Sequence, residues 1–468
     1  MPIQADLCVI GSGPGGYICA IRAARLGLSA VVVEADRLGG VCTNTGCIPT
    51  KALLRSAEVF HLAGDAASYG VRVTDVEADF PAMMKRKDRV TASLSRGIGA
   101  LLKDAGVQVV SGWGRLAGPN TVQVETAEGT ETITAGSIVL ATGSSAAVPP
   151  VPGLDGDGVI TSDGALALEK VPGSMVIVGA GAVGVEWASL FATLGSTVTI
   201  VEMVDRMVPA EDAEISALLR KLFLGRGIGI NLGAAVQNVS GPAGSMRVEI
   251  KQADGATEAL EAEIVLNATG RTPNSEELGL ETVGVSTERG AIQVDDRLRT
   301  NIPNIYAIGD VTGNAMLAHV ASHQGVVVAE NLAGGDSRMD YRNIPAATFC
   351  HPEIASVGLT EEQAVAEYGG AVVGRFSYMA SGRARTYGDT EGLLKLVTEP
   401  NYQALVGMHI IGTSASEMIA EGVLAIKLEA TLDDLRDVVH AHPTFPELSG
   451  EAAWEAIGQP LNTFGPKT

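Results

Sequence analysis

The chain has 468 residues, too many for one ordinary domain and enough for about three. Hydrophobic residues make up 46% and charged residues 19%, a composition suited to a globular protein with large cores. The net charge of −21, from 54 acidic and 33 basic residues, excludes nucleic acid and anionic membrane as natural partners. Five cysteines in this length exclude a disulfide scaffold and point to a reducing cytoplasm. No run is apolar enough to cross a bilayer, and the first residues lead into a strand without a basic signal region.

Residues 6–34, DLCVIGSGPGGYICAIRAARLGLSAVVVE, read as an apolar strand, a Gly-rich turn, a helix of small residues and a second strand ending in Glu34. The segment GGVCTNTGCIPTK follows at 39–51, with Cys42 and Cys47 separated by four residues; from Ile48 a helix begins, with Pro49 near its start. A buried-strand pattern, SIVLATG, occupies 137–143. Residues 174–202, SMVIVGAGAVGVEWASLFATLGSTVTIVE, repeat the first unit as far as its terminal acid, Glu202, and EIVLNATG at 263–270 repeats the closing strand. TNIPNIYAIGD at 300–310 is another strand ending in an acid, and MLAHVASHQG at 316–325 begins a helix. From about Ala346 strands and helices mix, with 418–428 helical by apolar spacing. Boundaries near Pro149, Arg271 and Pro345 divide the chain into 1–149, 150–271, 272–345 and 346–468. The fold class is α/β, with two Rossmann-like dinucleotide-binding domains followed by a C-terminal α+β domain.

Each Gly-x-Gly-x-x-Gly follows a strand, opens a helix and precedes an acid by eighteen positions, counted from its last glycine. Gly11 and Gly179 permit the tight turn, Gly13 and Gly181 let backbone approach a pyrophosphate, and Gly16 and Gly184 allow close helix–strand packing. The helix N-termini supply N–H donors and a positive dipole end. Glu34 and Glu202 accept bonds from ribose hydroxyls, and a carboxylate at Glu202 repels a 2′-phosphate, which favours NAD over NADP. Two such sites imply two nucleotides, FAD and NAD.

Cys42 and Cys47 have no second pair of Cys or His ligands nearby, which argues against a metal site. The N-terminus of the helix that begins at Ile48 lowers a thiol pKa and favours a reactive thiolate. On these residues the chain resembles the flavoprotein disulfide reductase family. The resemblance implies a Cys42–Cys47 disulfide, with Cys42 the interchange thiol exposed to substrate and Cys47 against the isoalloxazine ring. It implies that Lys51 pairs with Glu186 near flavin N5, that Asp310 binds the ribitol chain and that Ala318 faces the pyrimidine end. It carries over Gly114 and Gly143 as further FAD contacts, and Val236 and Gly270 as NAD contacts. HAHPTFPELSGEA, starting at His440, resembles the family's general-base segment. There His442 is the base, suited by its pKa range to dithiol deprotonation, Glu447 is its orienting partner, and His440 supports the site. In the family this base reaches the disulfide of the opposite subunit, which implies a homodimer built through the C-terminal domain.

The resemblance runs from Asp6 to about Phe464. No cysteine follows Cys350, so members with a second C-terminal cysteine pair are disfavoured. Ala182 stands where glutathione-type members carry Tyr. The chain is most similar to the members that oxidise dihydrolipoamide with NAD, and with no lipoyl domain fused to it, the lipoyl group arrives on a separate carrier protein. Thr43, Thr45, Phe445 and Pro446 depart from common family residues beside the site. The alternatives are an NADH-dependent reductase of a small disulfide and a flavin-bearing assembly subunit without turnover.

Overall fold

Leu7 to Ile10 form a continuous fully buried run at the end of the strand Ile3–Ile10, as in a strand covered on both faces. The computed structural model describes residues 2–463; Phe464, where the resemblance ends, lies outside them. Ile3–Ile10 pairs in parallel with Ala30–Glu34 on one side and Gly129–Leu140 on the other. Gln108–Ser111 extends one flank, and the antiparallel strands Trp113–Gly118 and Thr121–Thr126 extend the other. The strand Ile305–Ala307 also pairs with Gly129–Leu140, so the chain returns to its first sheet after leaving it.

The intervening residues build a second parallel sheet from Val159–Ile160, Ser174–Val178, Thr197–Glu202, Gly229–Leu232 and Ile264–Asn267. A three-stranded antiparallel sheet over 235–262 accompanies it. The crossings between the two parallel sheets are tied together, because Ser144–Ala146 pairs antiparallel with Arg271–Pro273. A further sheet, five-stranded and antiparallel, starts at Ala346–Thr348; the helix Ala415–Lys427 covers the expected 418–428 segment up to its last residue, Leu428, which caps it.

One helix contact positions the site. Pro14–Arg25, which follows the first fingerprint, crosses Ala318–Leu332 glycine to glycine. A Cβ on Gly325 would lie 2.5 Å from the Gly15 carbonyl, and one on Gly15 would lie 2.9 Å from the Ala321 carbonyl. Only the missing side chains let the axes approach this closely. The helix whose N-terminus is Ala318 is thereby held beside the first Gly-rich turn.

Candidate redox and nucleotide site

The two fingerprints are built alike, atom for atom. Gly11 and Gly179 have φ of +100° and +106°, and a Cβ would lie 2.3 Å from the Ala141 carbonyl and 2.4 Å from that of Ala268. The Ala-Thr-Gly end of each closing strand therefore sits against the first glycine of its own turn. A Cβ on Gly16 or Gly184 would lie 2.0 Å from the Gly11 or Gly179 carbonyl, so these glycines serve packing. Gly13 and Gly181 differ. Their φ values of −59° and −72° suit any residue, and a Cβ on either meets nothing within 4 Å. Neither fold nor backbone demands glycine there; a side chain would instead fill the cradle before helices Pro14–Arg25 and Ala182–Thr193. Neither helix has a side-chain cap, so first-turn N–H groups point at that cradle. This fits a pyrophosphate.

Glu34 and Glu202 do more than the sequence suggests. Glu34 Oε2 accepts the Ser12 N–H at 2.9 Å and its Oε1 accepts Asp36 N–H at 2.9 Å. Glu202 accepts Ala180 N–H at 2.7 Å and Val204 N–H at 3.0 Å in the same pattern. Each acid thus clamps its own turn, with lone pairs left for ribose hydroxyls. Arg206, close behind, is tied to Glu362 at 3.2 Å.

Cys42 lies on the short helix Gly40–Asn44, and Cys47 is the first residue of the helix Cys47–Gly64. Both are free thiols and hydrogen-bond partners of one another. In the single chain Cys47 is exposed and Cys42 half-buried. Cys42 lies close to Tyr17 and Asp310, whereas Cys47 opens at a helix end. The thiol hydrogen bond from Cys42 and the Lys51 ammonium hold Cys47 below the usual thiol range, against burial and the Glu186 charge. The same bond, burial and the Asp310 charge push Cys42 up. A reduced pair therefore gives up its first proton at Cys47.

Lys51 meets Glu186 through both carboxylate oxygens, at 2.8 and 2.7 Å. Glu186 is only 5% exposed and also accepts the Phe349 N–H at 2.9 Å, while the Lys51 ammonium lies 4.8 Å from the Phe349 ring centre. Asp310 is the second residue of the short 3₁₀ turn Gly309–Thr312 and accepts the Ser144 hydroxyl at 2.5 Å; Arg271 donates to that hydroxyl at 2.6 Å. Ala318 is the first residue of its helix, which has no side-chain cap. Gly143 and Gly270, with φ of +74° and +145°, meet nothing within 4 Å of an added Cβ and end the two Ala-Thr-Gly repeats. Gly114 and Val236 have structural duties of their own. A Cβ at Gly114 would press on Val33 at 3.0 Å and Ile10 at 3.3 Å, and Val236 packs on the second unit's core.

His442 Nδ1 lies 2.8 Å from Glu447 Oε1, and Glu447 Oε2 accepts the Thr444 N–H at 2.7 Å. Burial opposes ionisation of Glu447, yet the Thr444 N–H and the His442 ring hold its carboxyl below the usual range. A carboxylate on Nδ1 makes Nε2 the free basic nitrogen. His440 bonds Glu421 at 2.9 Å, and Ser449 holds the other oxygen of Glu421. The His442 side chain is 78% exposed, and among the described residues no hydrogen bond joins it to either cysteine.

Ser12, Ser144, Arg271 and Phe349 were not singled out from the sequence. A signal existed for two of them, because Ser144 and Arg271 directly follow the two Ala-Thr-Gly repeats. Phe349 had none.

Residues 5–325 match the family described as pyridine nucleotide-disulphide oxidoreductase, and residues 344–453 match its dimerisation domain. The dihydrolipoyl dehydrogenase of Chlorobaculum tepidum is 45% identical over 458 residues, 97% of each chain. That of Bacillus subtilis is 40% identical over 473 residues, 99% of this chain and 100% of its own. Among solved structures, the HOCl-induced flavoprotein disulfide reductase RclA from Escherichia coli superposes with a TM-score of 0.86 at 31% identity, covering 96% of this chain and 99% of that one.

Proposed function

The chain belongs to the pyridine nucleotide-disulphide oxidoreductase family, and we propose that it acts as an FAD- and NAD-dependent dihydrolipoyl dehydrogenase on a separate lipoylated carrier. The observation that carries this reading is a close thiol pair beside Lys51–Glu186, in a chain similar from end to end to two dihydrolipoyl dehydrogenases. FAD is held by the first turn (Gly11, Gly13, Gly16, Glu34) with Asp310, Gly114, Gly143 and Ala318, and NAD by the second (Gly179, Gly181, Gly184, Glu202) with Val236 and Gly270. The units are those set out from the sequence, 1–149, 150–271, 272–345 and 346–468. The compartment is the cytoplasm.

The reaction converts dihydrolipoamide and NAD to lipoamide, NADH and a proton. His442 Nε2 takes the proton of one substrate thiol, and the thiolate attacks Cys42 Sγ in the Cys42–Cys47 disulfide. That bond breaks, and Cys47 leaves as the thiolate that its surroundings favour. The second substrate thiol then attacks the substrate sulfur bonded to Cys42 and passes its proton to the leaving Cys42 sulfur; lipoamide leaves with its ring disulfide closed, and His442 releases the first proton to solvent. Bound FAD supplies the two-electron transfer from the dithiol to NAD. Lys51, neutralised by Glu186, holds positive charge beside Cys47.

The chain works as a homodimer in which each His442 serves the other chain's cysteines. The dimerisation-domain match, the exposed His442 and its neighbour Val439, 96% exposed, support this arrangement. The test is NADH formation from NAD and dihydrolipoamide by purified protein, with one FAD per chain held without a covalent bond. Faster NADH oxidation with a small disulfide than with lipoamide, or a colourless protein that cannot be reconstituted with FAD, overturns the reading.

A further inference from the structure

Phe349 lies just past the strand Ala346–Thr348, on the first stretch of the C-terminal unit, yet it touches both members of the Lys51–Glu186 pair. Its ring faces the cation with 4.8 Å from Nζ to the ring centre, and its backbone N–H donates at 2.9 Å to the same Glu186 oxygen that Lys51 meets at 2.8 Å. The loop is pinned on both sides of Cys350. His351 N–H donates to Ser189 Oγ at 3.0 Å, on the helix that carries Glu186, and Cys350 itself is 1% exposed. The ring is thus fixed on a segment docked to the redox helix.

We propose that Phe349 is a positioning residue for the redox site, its ring holding the Lys51 ammonium against Glu186 and beside Cys47. This rests on the function proposed above. An aromatic face suits the place chemically. It attracts a cation through its quadrupole but offers no lone pair, so it steadies the ammonium without competing with Glu186 for its protons. A polar acceptor at the same point would draw Nζ out of the two-oxygen contact. The backbone bond to Glu186 survives any substitution at 349, so side-chain variants isolate the ring. Without it Lys51 samples positions farther from Cys47, and the thiolate loses part of the charge that stabilises it.

The test uses full-length, flavin-loaded protein in a Cys42→Ser background, where Cys47 titrates alone. Its thiolate is followed against pH as the long-wavelength absorption of a thiolate lying on the flavin, and independently as the pH profile of alkylation by iodoacetamide. Phe349→Leu should move the midpoint upward by about half a pH unit. Phe349→Tyr, which keeps the ring, should titrate like the parent. An unchanged midpoint in Phe349→Leu, or an equal shift in Leu and Tyr variants, overturns the proposal. Should Phe349→Leu not accumulate as folded protein, Phe349→Met carries the same comparison. Failure of the parent reading shows separately: a wild-type chain inactive on lipoamide removes the substrate assignment, whereas the alkylation profile still decides the role of the ring.

Discussion

Replacing Glu202 with Gln tests how the second turn chooses its nucleotide. The Glu202 carboxylate is fixed by Ala180 N–H at 2.7 Å and Val204 N–H at 3.0 Å, at the rim where the ribose arrives. A 2′-phosphate at that rim meets a like charge, and one such pair at about 4 Å costs ~1–4 kcal/mol for effective dielectric constants of roughly 80 to 20. That corresponds to a preference for NAD over NADP of roughly five-fold to a thousand-fold. Arg206 does not offset it, since its guanidinium is engaged by Glu362. Gln removes the charge but has one acceptor oxygen for two backbone donors. One N–H loses its partner at a cost of ~1–3 kcal/mol, felt with either cofactor. The expected outcome for kcat/KM is a fall with NAD, a smaller fall or a rise with NADP, and a ratio narrowed about five-fold or more. Dihydrolipoamide oxidation measured with each nucleotide supplies the numbers. A wild-type preference for NADP, or an unchanged ratio in Glu202→Gln, refutes the reasoning.

Cys42→Ser and Cys47→Ser should both abolish lipoamide turnover, but only Cys42→Ser should keep a long-wavelength absorption without reductant; identical spectra would reverse or cancel the assigned roles. His442→Gln should bind FAD and accept electrons from NADH while dithiol exchange slows about 10²–10⁴-fold, and normal turnover removes His442 as the base. Lys395, 3% exposed on its side chain, joins Asp212 at 2.8 Å, Glu214 at 3.0 Å and Glu361 at 2.7 Å across the second and C-terminal units. Lys395→Met leaves the buried Asp212 without its cation, while Arg375 still holds Glu214 and Glu361, and should cost ~3–5 kcal/mol in denaturant unfolding; a loss below 1 kcal/mol, on the order of an exposed pair, contradicts this. Burial opposes ionisation of Asp212, but Lys395 and the Glu214 N–H hold its carboxyl below the ordinary 3.8. Its stabilising contribution is full above pH 3.8 and is lost as pH falls through the lower folded value, so the stability difference between wild type and the variant should narrow as pH falls below 3.8.

Local rules covered a good part of the site. A strand, a glycine turn, a helix and a distant acid form a unit legible within thirty or so residues, because each step is enforced by the step before it. Gly11 and Gly16 are needed by backbone geometry alone, and the helix beside the thiol pair is signalled by Pro49 near its start. The half-burial of Cys42 was not legible, since it depends on packing of its short helix near Tyr17 and Asp310. Nor was the second duty of Glu34 and Glu202 as clamps on their own turns, which exists only once strand and turn are folded together.

The two nucleotide turns, the thiol pair and the His–Glu pair are short-range arrangements of a few residues and can be read along the chain. The surroundings of the redox centre are set by the docking of distant segments. Lys51 and Glu186 stand 135 positions apart and Glu186 and Phe349 a further 163. Asp310 is held by Ser144 and Arg271 from the two sheet crossings. Such contacts leave no periodic trace in the chain, because they arise when separately folded units dock, and a half-buried charge takes whichever partner that docking delivers.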